Sequence, residues 1–161
     1  MSQFIDYYQS PLGMLKIEAT NANLVAVQFM SEEVVSGINE SGKSPIIEET
    51  IRQLIEYFED KRRQFDLPLE YIGTEFQQRV WKELTKIPYG QTISYGQLAN
   101  RLGSAKLVRA IGNANGKNPI GIIVPCHRVI GNNGDLVGYA GGLWRKQWLL
   151  EHEGSQKLLP F

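Results

Sequence analysis

The sequence predicts an α+β protein in two parts: a sheet covered by a helix, then a mostly helical half that holds the reactive group. Three observations carry that reading. Residues 4–29 alternate apolar and polar side chains between turn residues, two capping boxes open helices after residue 73, and the single cysteine, Cys126, ends an apolar run in the second half. Residues 1–73 and 74–161 are therefore expected to be separate domains, and a chain of 161 residues is long enough for two small ones.

In the first part, Phe4-Ile5-Asp6-Tyr7-Tyr8 leads to a Ser10-Pro11-Leu12-Gly13 turn. Leu15, Ile17 and Ala19 then alternate with Lys16 and Glu18. Asn21-Ala22-Asn23 makes a second turn and Val25, Val27 and Phe29 alternate again, which describes an antiparallel meander with one buried face. Residues 31–44 are polar, with scattered glycine and serine, and read as a loop or weak helix. Ile47, Ile51, Leu54, Ile55 and Phe58 recur at helical spacing, so a helix over 46–59 is expected to cover the sheet. Residues 64–69 predict one more short strand. No histidine, phosphate loop or tight pair of acids falls here, and the first part reads as scaffold.

The second part opens on Thr74-Glu75-Phe76-Gln77, where hydroxyl and amide can satisfy the orphan N–H groups of a helix start. Phe76, Val80, Trp81 and Leu84 give that helix an apolar face, and Ile87-Pro88-Tyr89-Gly90 ends it. Ser94-Tyr95-Gly96-Gln97 is a second capping box; Leu98, Ala99 and Leu102 point inward before Gly103. Ser104 caps a third helix with Leu107, Val108 and Ile111 inward and Lys106, Arg109, Ala110 and Asn113 outward. Two helices joined by a glycine turn match the helix-turn-helix unit, and equally an ordinary packed pair. Ala110, Gly112 and Ala114 are small for a major-groove reader; with Arg109 protruding, they suit close approach to a narrow groove. A last helix is expected from Leu143 to Glu151, with Leu143, Trp148, Leu149 and Leu150 inward.

Between these helices lies the stretch with chemistry. Ile120, Ile122, Ile123 and Val124 read as a short buried strand, which Pro125 stops for want of an N–H. Cys126 follows, flanked by His127 and Arg128, groups that can lower a thiol pKa. A free cysteine is also a common small core residue, so the setting alone leaves both roles open. Val137-Gly138-Tyr139-Ala140-Gly141-Gly142 then has the glycine density of a loop that approaches something closely, or of a simple connector.

Composition narrows the classes. With 42% hydrophobic and 21% charged residues the chain is globular rather than disordered. One cysteine excludes an internal disulfide and makes a cysteine-based zinc site implausible. No apolar stretch spans a bilayer and the N-terminus lacks signal-peptide order, so no membrane association and a cytoplasmic, reducing location are expected. Net charge is zero, yet residues 1–73 hold 6 Lys and Arg against 12 Asp and Glu, and residues 74–161 hold 11 against 5. From Leu84 to Gly134 there is no acid at all. That asymmetry fits a polyanion partner for the second half, or two halves that attract each other.

Pro125-Cys126-His127-Arg128-Val129 resembles the active-site signature of the O6-alkylguanine-DNA alkyltransferases, the methylated-DNA–protein-cysteine methyltransferases, of bacterial type. Phe76-Gln77-Gln78-Arg79-Val80-Trp81, Ile87-Pro88-Tyr89-Gly90, Ser94-Tyr95-Gly96-Gln97-Leu98-Ala99, Val108-Arg109-Ala110-Ile111-Gly112, Asn118-Pro119 and Gly138-Tyr139-Ala140-Gly141-Gly142 follow the family's order and spacing. The resemblance implies a ribonuclease H-like layout in the first part and a winged-helix-like second part. It implies a protein that binds double-stranded DNA in the minor groove, flips out O6-methylguanine or O4-methylthymine, and takes the alkyl group irreversibly onto Cys126. By motif, Arg109 fills the vacated stack, Tyr95 promotes rotation and donates to the purine, and Asn118 ties the recognition helix to the active-site loop. His127, through a water and backed by Glu153, helps remove the thiol proton. Val129, Tyr139 and Ala140 line the base pocket, and Ala110 and Arg128 join the DNA-binding surface.

Some family members carry serine at the position of Ala140, so a side-chain hydroxyl is absent here, while the backbone N–H remains. Others hold zinc through Cys and His in the first domain; residues 1–73 contain neither, so no metal is expected, and no cofactor. A monomer is expected, with cooperativity along DNA left open. The alternatives are a lesion-binding relative without transfer activity, a helix-turn-helix regulator and a Cys-His hydrolase. Cys126 speaks against the first and the small residues of the reader helix against the second, while the third would turn over and would need an oxyanion hole.

Overall fold

The computed structural model describes residues 4–31 and 44–154. Its contacts divide the chain into two compact units, one holding the chain to Ile72 together with Pro119–Ile123, the other Gly73–Asn118 and the chain from Val124.

The first unit is built on a three-stranded antiparallel sheet, β1 (Phe4–Ser10), β2 (Gly13–Ala19) and β3 (Leu24–Phe29), in sequential order. The alternation sets the register: Tyr8 pairs with Leu15 and Ile17 with Val27, which puts Leu15, Ile17 and Ala19 wholly inside. Helix α1 (Pro45–Phe58) starts at Ser44, whose hydroxyl accepts from Ile47 N at 3.3 Å. Its buried face differs from the expected one: Ile47, Thr50, Gln53, Leu54 and Tyr57 point in, while Ile55 is exposed. Gln53 belongs inside because its amide pairs with both backbone groups of Asp66, at 3.0 and 2.9 Å. That is a requirement apolar periodicity does not express.

The strand expected over 64–69 reduces to one bridge, Leu24 to Leu69, since Pro68 brings a carbonyl to Leu24 N but no N–H to extend a ladder. Pro119–Ile123 is likewise a bridge rather than a strand. Val27 donates to Pro119 O and accepts from Gly121 N, both at 2.9 Å, and Ile122 then turns the chain at φ 67°. The loop or weak helix expected over 31–44 lies, but for its two ends, outside the described residues.

The second unit contains α2 (Glu75–Leu84), β4 (Ile93–Ser94), α3 (Tyr95–Arg101), α4 (Val108–Gly116), β5 (Val129–Ile130) and α5 (Leu143–His152). Both capping boxes form: Thr74 Oγ1 accepts from Gln77 N at 3.0 Å and Ser94 Oγ from Gln97 N at 3.0 Å, with the glutamine amides returning the bond. Ser104 does cap, but its first turn is a 3-10 turn over Ala105–Leu107, so α4 begins only at Val108. Trp81 is buried against α4 and donates to Ala114 O at 2.9 Å. β4 and β5 pair in parallel, Ile93 with Val129. No helix among the described residues is long and apolar enough to cross a membrane.

Candidate active site

Val124, Pro125 and the 3-10 turn Cys126–Arg128 present three buried side chains in a row. Cys126 is 6% exposed. Burial pushes its thiol up, while the Asn118 amide and the Lys146 ammonium pull it back. The lowering expected from His127 and Arg128 is not what acts on the sulfur; both neighbours are turned to a carboxylate instead. A thiol held above its ordinary range needs a base to react near neutral pH.

The adjacent residue carries a group able to accept a proton. His127 is fully buried and its Nε2 lies 2.9 Å from Glu153 Oε2. Burial lowers the imidazole, so it is neutral at pH 7 in spite of the carboxylate. A carboxylate only accepts, so the ring proton sits on Nε2 and Nδ1 presents a lone pair. Nδ1 is buried and has no hydrogen-bond partner among the described residues.

Glu153 also holds a cation. Arg128 Nε donates to its Oε1 at 2.8 Å and Nη2 to its Oε2 at 2.9 Å, while Nη1 donates to Ile87 O at 2.7 Å. Burial alone would raise the carboxyl, but His127 and Arg128 outweigh it and hold Glu153 well below the usual carboxylate range. The turn after α2 reaches this cluster because Gly90, at φ 81°, approaches the Glu153 carbonyl where a Cβ would stand 3.2 Å away.

Lys146, which the apolar pattern does not mark, is completely buried. Its ammonium donates to Val129 O at 2.6 Å, Val137 O at 2.8 Å and Gly138 O at 3.3 Å, tying β5 to the glycine loop. Burial brings its pKa down to about 8, with Cys126 acting to raise it. The only signal in the sequence is spacing: Lys146, Leu149, Leu150 and Glu153 stand at i, i+3, i+4 and i+7, and all four are buried. Leu143, expected inside, is exposed instead.

Tyr95 lies between α4 and the glycine loop. Its hydroxyl takes the Asn115 amide at 3.3 Å, and its ring and hydroxyl lie 3.9 Å from where Cβ atoms on Gly112 and Gly138 would be. Burial raises it, so it stays a donor. Asn115 also donates to Cys126 O at 3.3 Å, a link absent from the sequence reading. Asn118 Nδ2 donates to Val124 O at 2.7 Å, from the segment after α4 to the turn before Cys126. Tyr139 is half-buried, and desolvation followed by the nearby thiol pushes its hydroxyl well above the normal range.

Arg109 and Ala110 are exposed on α4. Three residues stand elsewhere than expected. Arg128 is no surface cation: it is buried, and Glu153 and the Ile87 carbonyl take three of its five N–H groups. Val129 is fully buried in the β4–β5 ladder. Ala114 packs inward against Trp81, so the small outward face of α4 is Ala110, with Gly112 under Tyr95. No cluster of three His, Cys, Asp or Glu among the described residues could hold a metal ion.

Helices α3 and α4, joined by a short 3-10 turn, thus stand in the same unit as one buried thiol and a neutral imidazole. Residues 75–155 match the model of the 6-O-methylguanine DNA methyltransferase DNA binding domain, and residues 4–71 that of the family's ribonuclease-like domain. A methylated-DNA–protein-cysteine methyltransferase of Methanosarcina acetivorans is 45% identical over 150 residues, covering 92% of this chain and 96% of that one. One of Shigella flexneri is 52% identical over 134 residues, covering 81% and 74%. The crystal structure of Mycobacterium tuberculosis OGT in complex with DNA superposes with a TM-score of 0.83 at 43% identity, over 92% and 91% of the two chains. The chain belongs to the 6-O-methylguanine DNA methyltransferase family.

Two predictions follow from the cluster. Glu153→Gln leaves the Arg128 guanidinium buried without its counter-charge and should cost about 3–5 kcal/mol in urea unfolding; a loss under about 1 kcal/mol would mean that the pair is solvated. Because the folded His127 has a lowered pKa, the denatured chain binds its proton more tightly, so stability should decline as pH falls below about 6.5. The thermal midpoint of His127→Gln should decline less steeply between about pH 6.5 and 5 than that of the parent; parallel curves would refute the assignment.

Proposed function

We propose that this protein repairs alkylated DNA by direct reversal, taking the alkyl group of O6-methylguanine, and of O4-methylthymine, onto Cys126. The observation that carries the reading is the buried Cys126–His127–Glu153 arrangement, in which a neutral imidazole with a free lone pair follows the chain's one thiol, within a family of DNA methyltransferases.

In this reading the damaged base is turned out of the duplex from the minor groove toward Cys126. The sulfur attacks the methyl carbon as the C–O6 bond breaks, and the bonding pair passes to the guanine. The thiol proton moves to His127 Nδ1 through a water, with Glu153 steadying the imidazolium. The Tyr95 hydroxyl, kept protonated by burial, donates to the departing purine, and backbone N–H groups near Ala140 add to that stabilisation. Asn118 and Asn115 fix the turn to the recognition helix, Arg109 occupies the vacated stack, and Ala110 lets the helix lie close to the groove. Tyr139 and Ala140 flank the base, with Val129 behind them. A thioether is not hydrolysed, so each molecule acts once. A cytoplasmic monomer suits this chemistry, since the thiol must stay reduced.

Mass measurement after incubation with O6-methylguanine DNA should find one methyl on the Cys126 peptide and no further turnover, and Cys126→Ser should accept none. Repeated turnover would favour a hydrolase, and binding without a mass change a lesion sensor. Arg109→Ala should slow methyl transfer from duplex DNA at least tenfold while leaving reaction with free O6-alkylguanine base nearly unchanged. Equal losses on both substrates would make Arg109 a folding residue.

A further inference from the structure

The start of α5 carries a feature that the reaction at Cys126 does not use. Five large apolar side chains are exposed among the described residues, and three of them, Val137, Leu143 and Trp144, fall within eight residues. Trp144 is the most open at 59%. The ring is nonetheless held. The Arg145 guanidinium lies 4.6 Å from its centroid and is itself fixed by donating to Gly141 O at 2.9 Å. The indole edge lies against Gly142, where φ is 95° and a Cβ would come within 3.3 Å of Cδ1. An exposed, preorganised indole backed by a cation is an arrangement that takes up a flat ring on its open face.

Its place relative to the thiol follows from the loop. Lys146, the next residue of α5, donates to Gly138 O at 3.3 Å and to Val129 O at 2.6 Å, directly after the Cys126–Arg128 turn, and Gly138 lies beside Tyr95, whose hydroxyl takes the Asn115 amide of α4. The surface therefore runs from the recognition helix across Tyr95 to the loop and on to Trp144. From Leu136 to Leu150 the sequence has two cations, Arg145 and Lys146, and no acid, as suits a polyanion.

We infer that Trp144 and Arg145 form an aromatic shelf at the rim of the Cys126 site that binds the lesion-bearing DNA strand, the indole stacking on a nucleobase next to the extruded one. This rests on the repair reading above. Stacking needs only a π-face, so the shelf is indifferent to flanking sequence. It gives the strand a second hold while the duplex is open.

The test compares the full-length chain with Trp144→Ala and Trp144→Phe, following methyl transfer from O6-methylguanine in a duplex and from O6-benzylguanine as free base. Trp144→Ala should lose about tenfold on duplex, most of it recovered by Trp144→Phe, with the free-base rate within about twofold of the parent. Equal losses on both substrates would overturn the shelf, making the indole a support for Tyr139. A loss confined to the benzyl substrate would assign the ring to the alkyl group, and an unchanged duplex rate with loss of cooperative DNA binding would assign it to a second copy of the protein. A parent chain that accepts no methyl from either substrate would instead defeat the repair reading itself.

Discussion

The buried carboxylate of Glu153 is the constraint on which the second unit depends. It takes two bonds from Arg128 and one from His127, while its backbone caps α5 through Leu149 O at 3.0 Å. One residue at the end of a helix thus fixes the rotamer of the base beside Cys126, the path of the turn that carries the thiol, and, through Arg128 and Ile87, the turn after α2. Such a charge is stable inside only because each oxygen is satisfied by cationic or ring donors. The apolar packing of Trp81, Leu84, Leu98 and Ile111 brings these elements together but would tolerate many rotations of the imidazole. The carboxylate selects one.

Lys146 constrains the other side of the same site. Its three carbonyl partners span β5 and the glycine loop, so the loop that presents Tyr139 and Ala140 is pinned by a cation instead of by a ladder of backbone bonds. Glycine at 138 and 142 allows the backbone to turn toward the ammonium at positive φ, where other residues would be strained. Loop position and thiol electrostatics therefore share one group.

Much of this was legible in the sequence, and the pattern of what was not is physical. Alternation placed the three strands, and two capping boxes placed the starts of α2 and α3 to the residue, because both signals are local. Cys126 and His127 stood out in the sequence itself, and Glu153 was joined to His127 only through a family likeness; the last two stand 2.9 Å apart. Arg128 was misplaced because a guanidinium in a basic stretch reads as a surface cation, and only the tertiary fold brings Glu153, 25 residues on, to pair with it. Lys146 and Gln53 were missed for the converse reason. Periodicity counts apolar residues, whereas these polar ones are inside because distant backbone groups need their donors. Leu143 and Ile55 were assigned inward by the same count and are outside.

The charges in the interior show why a single transfer is the natural end of this chemistry. Arg128 and Glu153 offset each other around a neutral His127, which leaves Lys146 as the unbalanced cation, and the group that answers it electrostatically is Cys126. A thiolate forming at Cys126 is therefore stabilised by a charge already in place and already desolvated, with no reorganisation at the moment of attack. Once the sulfur carries an alkyl group it has no charge to offer. The ammonium then keeps its carbonyls, as it did beside the neutral thiol, and no proton transfer available to His127 can turn a thioether back into a thiolate. The charge that eases the attack has no part in undoing it, so the chemistry ends with the sulfur alkylated.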